Sequence, residues 1–145
     1  LAPETLLLVS GEVQIADRAL LPSEQIGIGG QSTVRGYRQD FLLADNGFLA
    51  SAELRYPVLR VPQINGLLSI TPFIDFGTAW NSSEAGRTPL ENKTIASTGL
   101  GLLWQQSNRL SARFDWGVPL ISVDSDGDSL QENGLYFSIL NTQPF

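Results

Sequence analysis

The sequence predicts an all-β fold built from long antiparallel strands, of the kind that crosses a membrane as part of a β-barrel. Three observations support this prediction. Apolar and polar residues alternate over segments of about ten residues, which is longer than the usual strand. Long polar connections alternate with short ones, as the outer loops and inner turns of such barrels do. No apolar run approaches the roughly 20 residues of a membrane helix.

Six segments of the chain carry this alternation. The first covers residues 6–18, and the clearest covers residues 109–120, where Phe114 and Trp116 face away from Asp115. The other predicted strands are residues 48–58, 66–79, 95–106 and 134–140. Because successive side chains point to opposite faces of a strand, we expect one apolar face toward lipid and one polar face toward a water-filled lumen.

The longest connection, residues 20–47, is predicted to be a loop that carries a short motif. The motif residues are Val34, Arg35, Gly36 and Tyr37. An arginine in a long loop needs a fixed anionic partner if the loop is to hold one shape. Gly36 allows the backbone to turn or to approach a wall closely, where a side chain would clash. Loops of this length are usually functional or disordered.

A second motif lies on the strand predicted at residues 66–79. The alternation places three of its residues on the polar face, namely Phe73, Asp75 and Gly77. A planar guanidinium can bind a carboxylate through two parallel hydrogen bonds, so we predict that Asp75 is the partner of Arg35. The alternative is that these are two unrelated polar residues, one in a loop and one on a water-lined strand.

Further charged residues fall on the predicted inner face of the strands. They are Glu12, Glu53, Arg55, Arg113 and Asp115. We expect these side chains to line a hydrated path or to contact the loop. For each of them taken singly, the simpler interpretation is that any water-filled lumen is polar.

The two motifs together resemble the signature of a known family. Gly-Gly-x-x-x-Val-Arg-Gly-Tyr starts at Gly29, and Phe-x-Asp-x-Gly starts at Phe73. This pair is similar to the paired signature of the Omp85 superfamily of outer-membrane β-barrels. Within the superfamily, the sequence most resembles the two-partner-secretion transporters of the haemolysin secretion/activation type. The resemblance runs over nearly the whole chain and corresponds to the C-terminal part of such a protein.

The resemblance implies a fold larger than this chain. The strands would be the C-terminal six or so antiparallel strands of a transmembrane β-barrel with about sixteen strands in the full protein. Soluble periplasmic modules of the POTRA kind would precede them. Phe145 resembles the terminal aromatic residue that the barrel-assembly machinery reads. The expected location is the outer membrane of a Gram-negative-type cell.

The resemblance also implies a function. A transporter of this type secretes a partner polypeptide in unfolded form across the outer membrane, and it uses neither a cofactor nor ATP. The loop would fold back into the barrel, where the Arg35–Asp75 pair would anchor it and keep the conduit in its working geometry. The implied partners are the secreted polypeptide, outer-membrane lipid and, during biogenesis, the barrel-assembly machinery.

Two other functions remain open at this point. The first is an assembly factor of the same superfamily that inserts other barrels, and the sequence of the periplasmic modules would separate it from a transporter. The second is a soluble all-β binding domain, which would have strands of five to six residues around a buried face. The long strands and the outward-facing Trp104, Phe114 and Trp116 argue against this second alternative.

The composition excludes several kinds of chemistry. Cysteine, histidine and methionine are all absent from the 145 residues, which removes thiol nucleophiles, imidazole bases and the usual zinc ligands. No serine lies in a nucleophile-elbow context, so we expect no enzyme. The formal net charge is −6, and nothing indicates a surface for nucleic acid.

An acidic segment superficially resembles the start of a calcium-binding loop. It contains Asp124, Asp126 and Asp128. A loop that begins at Asp124 would need its bidentate glutamate at the twelfth position, and that position is Leu135. A solvated acidic loop is the favoured interpretation, and no metal site is predicted.

Overall fold

The structure of the protein is a computed structural model that describes residues 4–81, 93–107, 109–121 and 134–141. These residues form one six-stranded antiparallel sheet and one small two-stranded sheet. The prediction of an all-β fold with six antiparallel strands is therefore confirmed. The acidic segment around Asp126 and the terminal Phe145 lie outside the described residues.

Eight strands occur in the described part of the chain. They are β1 (Leu6–Gln14), β2 (Ile26–Ile28), β3 (Leu42–Ala44), β4 (Asn46–Val61), β5 (Gly66–Trp80), β6 (Lys93–Gln106), β7 (Leu110–Pro119) and β8 (Leu135–Asn141). The large sheet has the order β1-β4-β5-β6-β7-β8, and β2 pairs with β3. A 3-10 helix at Pro62–Ile64 connects β4 to β5. Within the described residues, no helix has the length and apolar character needed to cross a membrane.

The register of the sheet separates a polar face from an apolar face. Ser51 of β4 pairs with Asp75 of β5, which pairs with Ser97 of β6, so these three side chains share one face. On the opposite face the large apolar side chains are exposed, with exposed fractions of 55% for Ile74 and 53% for Trp116. A sheet that exposes its apolar face has the two-sided pattern of strands that contact lipid.

The segment predicted as a plain loop, residues 20–47, contains the β2–β3 hairpin. Its Ile28 and Ala44 are fully buried, because the hairpin packs on the polar side of the large sheet. Each of its strands has only three residues, which is too short for an alternating pattern to stand out from a loop. The segment is thus a folded-back element that shares a small core with the large sheet.

The first strand ends earlier than the alternation indicated. β1 stops at Gln14, whereas residues 15–18 continue the alternating pattern without pairing in the sheet. The backbone N–H of Ala16 instead donates to Asn46 Oδ1 at 2.6 Å, and Asp17 and Arg18 form an exposed ion pair. The side chain of Asn46 therefore helps to direct the chain out of the sheet and into the folded-back element.

Candidate functional site

Arg35 and Asp75 are in direct contact where the folded-back element meets β5. The guanidinium donates from Nε to Asp75 Oδ2 at 2.8 Å and from Nη2 to Asp75 Oδ1 at 3.0 Å. The backbone N–H of Arg35 also donates to Asp75 Oδ2, at 3.1 Å. Arg35 is 5% exposed and Asp75 is fully buried. This bidentate geometry fixes the orientation of the arginine as well as its position.

Three other residues complete the surroundings of the Arg35 guanidinium. Nη1 donates to Glu53 Oε2 at 2.6 Å and lies 3.7 Å from Asp115 Oδ1. The ring of Phe73 lies next to the group, with its centroid 3.5 Å from Cζ. A buried cation over an aromatic face gains a further electrostatic attraction. The guanidinium is thus held by β4, β5 and β7 together.

Two further arginines balance the charge of these carboxylates. Arg113 donates to Asp115 at 2.5 and 3.1 Å and also binds Glu53. Arg55, whose side chain is a third exposed, donates to Glu53 at 3.1 Å. Three arginines therefore face three carboxylates, so the cluster has no net charge. Such pairing is what allows ionised groups to be buried without a prohibitive desolvation cost.

The charge state of Arg35 follows from its partners. Burial alone would lower the pKa of Arg35, but the hydrogen bonds and charges of Asp75 and Glu53 outweigh burial and raise the pKa above its ordinary value. Because an unperturbed arginine is already protonated at every physiological pH, the side chain acts as a permanent cation. A change of pH within the physiological range therefore does not alter the charge of the Arg35 guanidinium or break its contact with the sheet.

Glu12, the last of the five charged residues that were predicted to lie on the inner face, lies apart from this cluster. Glu12 of β1 is opposite Leu49 of β4 in the register, so it does face the polar side of the sheet. It is exposed and lines a cavity of about 260 Å³ with Ser32 and Thr33 of the folded-back element. Glu12 thus contributes to an exposed polar surface beside the cluster.

Val34 and Gly77 belong to the apolar contact between the folded-back element and the sheet. Val34 is fully buried in a small core that includes Ile28, Leu49 and Ile95. A Cβ atom added to Gly77 would lie 2.6 Å from Ile28 Cγ2 and 3.0 Å from Val34 Cγ2. The glycine of the strand motif therefore makes room on β5 for the apolar side chains beside Arg35.

Gly36 and Tyr37 bring the backbone of the element against the sheet. Gly36 has a φ of +101°, a conformation that L side chains rarely adopt. A Cβ atom added to Gly117 of β7 would lie 2.7 Å from the Gly36 nitrogen, so two backbones touch here without a side chain between them. The Tyr37 hydroxyl lies 3.1 Å from the Ala96 carbonyl oxygen and 2.8 Å from that of Ile121.

Two residues of the site were not singled out from the sequence. Ser51 donates from Oγ to Asp75 Oδ1 at 2.6 Å, which supports the carboxylate from the neighbouring strand. The Tyr136 hydroxyl of β8 lies 2.8 Å from the Gly36 nitrogen. Both residues fall on the predicted polar face, and that was the only signal in the sequence. The number of polar residues on this face is too large for alternation alone to select them.

The ends of the folded-back element are held by a separate set of hydrogen bonds. Asp45 is fully buried, and its Oδ1 accepts from the Leu20 N–H at 2.9 Å and from Gln25 Nε2 at 3.2 Å. Its own N–H donates to Asn81 Oδ1 at 3.1 Å. The bonds to Leu20 and Gln25 join the start of the element to its end, and the bond to Asn81 ties that end to the residue after β5. No sequence pattern pointed to Asp45, because its partners lie in irregular backbone.

The fold and the site define a class of protein. Long antiparallel strands with an exposed apolar face, and a polar face on which a loop is anchored, are the features of a transmembrane β-barrel. The model of the Omp85 superfamily domain matches residues 4–142, so the chain belongs to the Omp85 superfamily. The protein is accordingly an outer-membrane protein of a Gram-negative bacterium.

Curated relatives agree with this membership. The chain is 28% identical over 117 residues to the outer membrane transporter CdiB of Escherichia coli O6:K15:H31 (strain 536 / UPEC), a match that covers 81% of this chain and 19% of the relative. It is 31% identical over 75 residues to the outer membrane transporter CdiB of Dickeya dadantii (strain 3937), with 52% and 13% covered. The chain thus spans about a fifth or less of the length of these relatives. No solved structure matches it.

Proposed function

We propose that this protein forms the C-terminal part of the barrel of a two-partner-secretion transporter of the haemolysin secretion/activation type. The transporter secretes a partner polypeptide in unfolded form across the outer membrane. The similarity to outer membrane transporters named CdiB supports a role in transport. The exposed apolar face of the sheet supports contact with outer-membrane lipid, and the barrel-assembly machinery is the expected partner during biogenesis.

The observation that carries this proposal is the anchoring of the folded-back element on the polar face of the sheet. In a closed barrel the polar face lines the lumen, so an element fixed to this face occupies part of the conduit. Arg35 fixes it through Asp75, Glu53 and Asp115 on three strands. The anchor therefore sets how much of the lumen the element leaves open.

The balanced charge of the site suits the passage of an unfolded chain. Glu53 forms ion pairs with Arg35 and Arg113, and Asp115 forms an ion pair with Arg113. Charged side chains that are already paired with each other attract a passing charged residue only weakly. The wall beside the element would thus guide a polypeptide without retaining it.

The test compares Arg35→Ala and Asp75→Ala with the wild-type full-length protein, in planar bilayers and in a secretion assay. Removing one partner of a buried ion pair costs about 3–5 kcal/mol, because the other charge stays buried and unpaired. We expect both variants to insert into membranes, to show the same altered single-channel conductance and to lose secretion. Arg38→Ala is the matched control, because Arg38 is an exposed arginine of the same element.

The opposite result would be equally clear. If Arg35→Ala and Asp75→Ala both match Arg38→Ala and wild type in conductance and in secretion, the ion pair has no part in transport. The proposed role of the folded-back element would then be wrong, while membership of the superfamily would be unaffected.

A further inference from the structure

The hydroxyl of Tyr136 makes two hydrogen bonds to the backbone next to Arg35. It accepts from the N–H of Gly36 at 2.8 Å and donates to the carbonyl oxygen of Tyr37 at 2.5 Å. Tyr136 is 5% exposed, so water does not compete freely for these bonds. A single side chain of β8 therefore satisfies a donor and an acceptor of the motif at the same time.

These two backbone groups need a partner from outside the folded-back element. Gly36 has a positive φ and lies in contact with the backbone of Gly117, so it forms no regular pairing in a sheet. A buried backbone N–H or carbonyl group without a partner costs about 1–3 kcal/mol. Because the hydroxyl can act as donor and acceptor together, tyrosine fits this position and phenylalanine does not.

The position of Tyr136 in the sheet explains why it reaches the motif. Tyr136 pairs with Asp115 in the register of β7 and β8, so both side chains point to the polar face. The Tyr37 hydroxyl reaches back to carbonyl oxygens of β6 and of the segment after β7. The two tyrosines thus join the motif to strands that neither Asp75 nor Glu53 belongs to.

We propose that Tyr136 is a positioning residue that forms a second, uncharged anchor of the folded-back element and ties it to β8. This proposal rests on the proposed function, in which the element occupies the conduit. The ion pairs hold the side chain of Arg35 against β4, β5 and β7, whereas Tyr136 holds the backbone of the next two residues. A displacement of β8 would therefore release the backbone of the motif even while the ion pairs remain formed.

A cysteine placed under the element can report its release. Ser97 of β6 is fully buried, its Oγ has no hydrogen-bond partner, and a Cβ added to Gly36 would lie 3.3 Å from its Cβ. Ser97→Cys is nearly isosteric, and the chain has no cysteine of its own. In a full-length protein engineered so that position 97 carries its single cysteine, maleimide labelling requires the element to move away from β6.

The experiment compares Tyr136→Phe with Tyr56→Phe in the Ser97→Cys background. Tyr56 faces outward on β4, so Tyr56→Phe is the control for the loss of a hydroxyl. We expect labelling about tenfold faster in Tyr136→Phe, which corresponds to about 1.4 kcal/mol. The folded fraction, read from heat-modifiable electrophoresis, should be equal in both variants. A residue that only supports the sheet would lower that fraction without exposing position 97 selectively.

Secretion measured on the same variants separates the two proposals. Faster labelling with reduced secretion supports both the second anchor and the proposed function. Faster labelling with normal secretion leaves the anchor standing and overturns the role of the element in transport. Equal labelling rates in Tyr136→Phe and Tyr56→Phe overturn the anchor, whatever the secretion assay shows.

Discussion

Arg35 is the residue on which the site depends, because its guanidinium uses several properties at once. It makes two hydrogen bonds to Asp75 and a third to Glu53, and its Cζ lies 3.5 Å from the centroid of the Phe73 ring. A lysine would keep the charge but present it as a point on a flexible stem. The shape of the cation should therefore matter here as much as its charge.

Arg35→Lys in the full-length protein keeps the charge and changes the shape of the cation. We expect the variant to lie between wild type and Arg35→Ala in secretion, with a free energy of unfolding reduced by about 1–3 kcal/mol, because some buried carboxylate oxygens lose a donor. Urea titration of the folded barrel measures the stability. Arg38→Lys is the control, since Arg38 is exposed. An Arg35→Lys variant as stable and active as wild type would show that charge alone suffices.

At the scale of elements, the folded-back segment depends on how closely its backbone can approach the sheet. At Gly117 of β7 the nearest atoms to an added Cβ belong to the backbone of Arg35 and Gly36, at 2.7 to 3.0 Å. Backbone atoms cannot rotate out of the way as a side chain can. The folded-back segment can therefore approach β7 this closely only because Gly117 has no side chain.

Gly117→Ala should consequently loosen the folded-back segment. The methyl group has no room unless the motif moves away from β7, and strain of this kind typically costs about 1–3 kcal/mol. The measurement is maleimide labelling of Ser97→Cys together with the urea midpoint of the full-length protein. Gly11→Ala on β1 is the matched control, because its added Cβ would meet only Leu49 O at 3.6 Å. Identical behaviour of the two alanine variants would contradict the close approach.

At the scale of the whole molecule, the two faces of the sheet meet different surroundings. Val9, Ile74 and Trp116 are exposed on one face, while Asp75 and Asp115 are buried under the folded-back element on the other. Membership of the Omp85 superfamily explains this arrangement, because lipid covers the apolar face of a barrel strand. An added charge should therefore destabilise the barrel on the apolar face and have little effect on the polar face.

Arginine substitutions on the two faces test this statement. Ile74→Arg should destabilise the full-length barrel by about 2–4 kcal/mol if position 74 lies near the middle of the bilayer. Ser10→Arg places the same charge on the polar face of β1, where it is exposed, and should leave the stability nearly unchanged. Urea titration in lipid vesicles gives both values. Equal effects at the two positions would show that the faces are not lipid and lumen.

Much of the fold was predictable from local patterns. The alternation of Phe114, Asp115 and Trp116 assigns each side chain to a face, because the two-residue period is a property of a single strand. The motif residues Arg35 and Asp75 were paired in the prediction by their opposite charges and by the place of Asp75 on the polar face, and the structure places them in contact. Their role in transport stays a prediction.

What the sequence by itself determined is the strand pattern and the identity of the two faces, and it indicated Asp75 as a candidate partner of Arg35. Only the tertiary structure decided that Glu53 and Asp115 also surround Arg35, that a hairpin lies within the loop, and that Tyr136 binds Gly36 across 100 residues of chain. The physical reason is that alternation is local. Which side chains of different strands come into contact depends on the register between the strands and on how the folded-back element docks on the sheet.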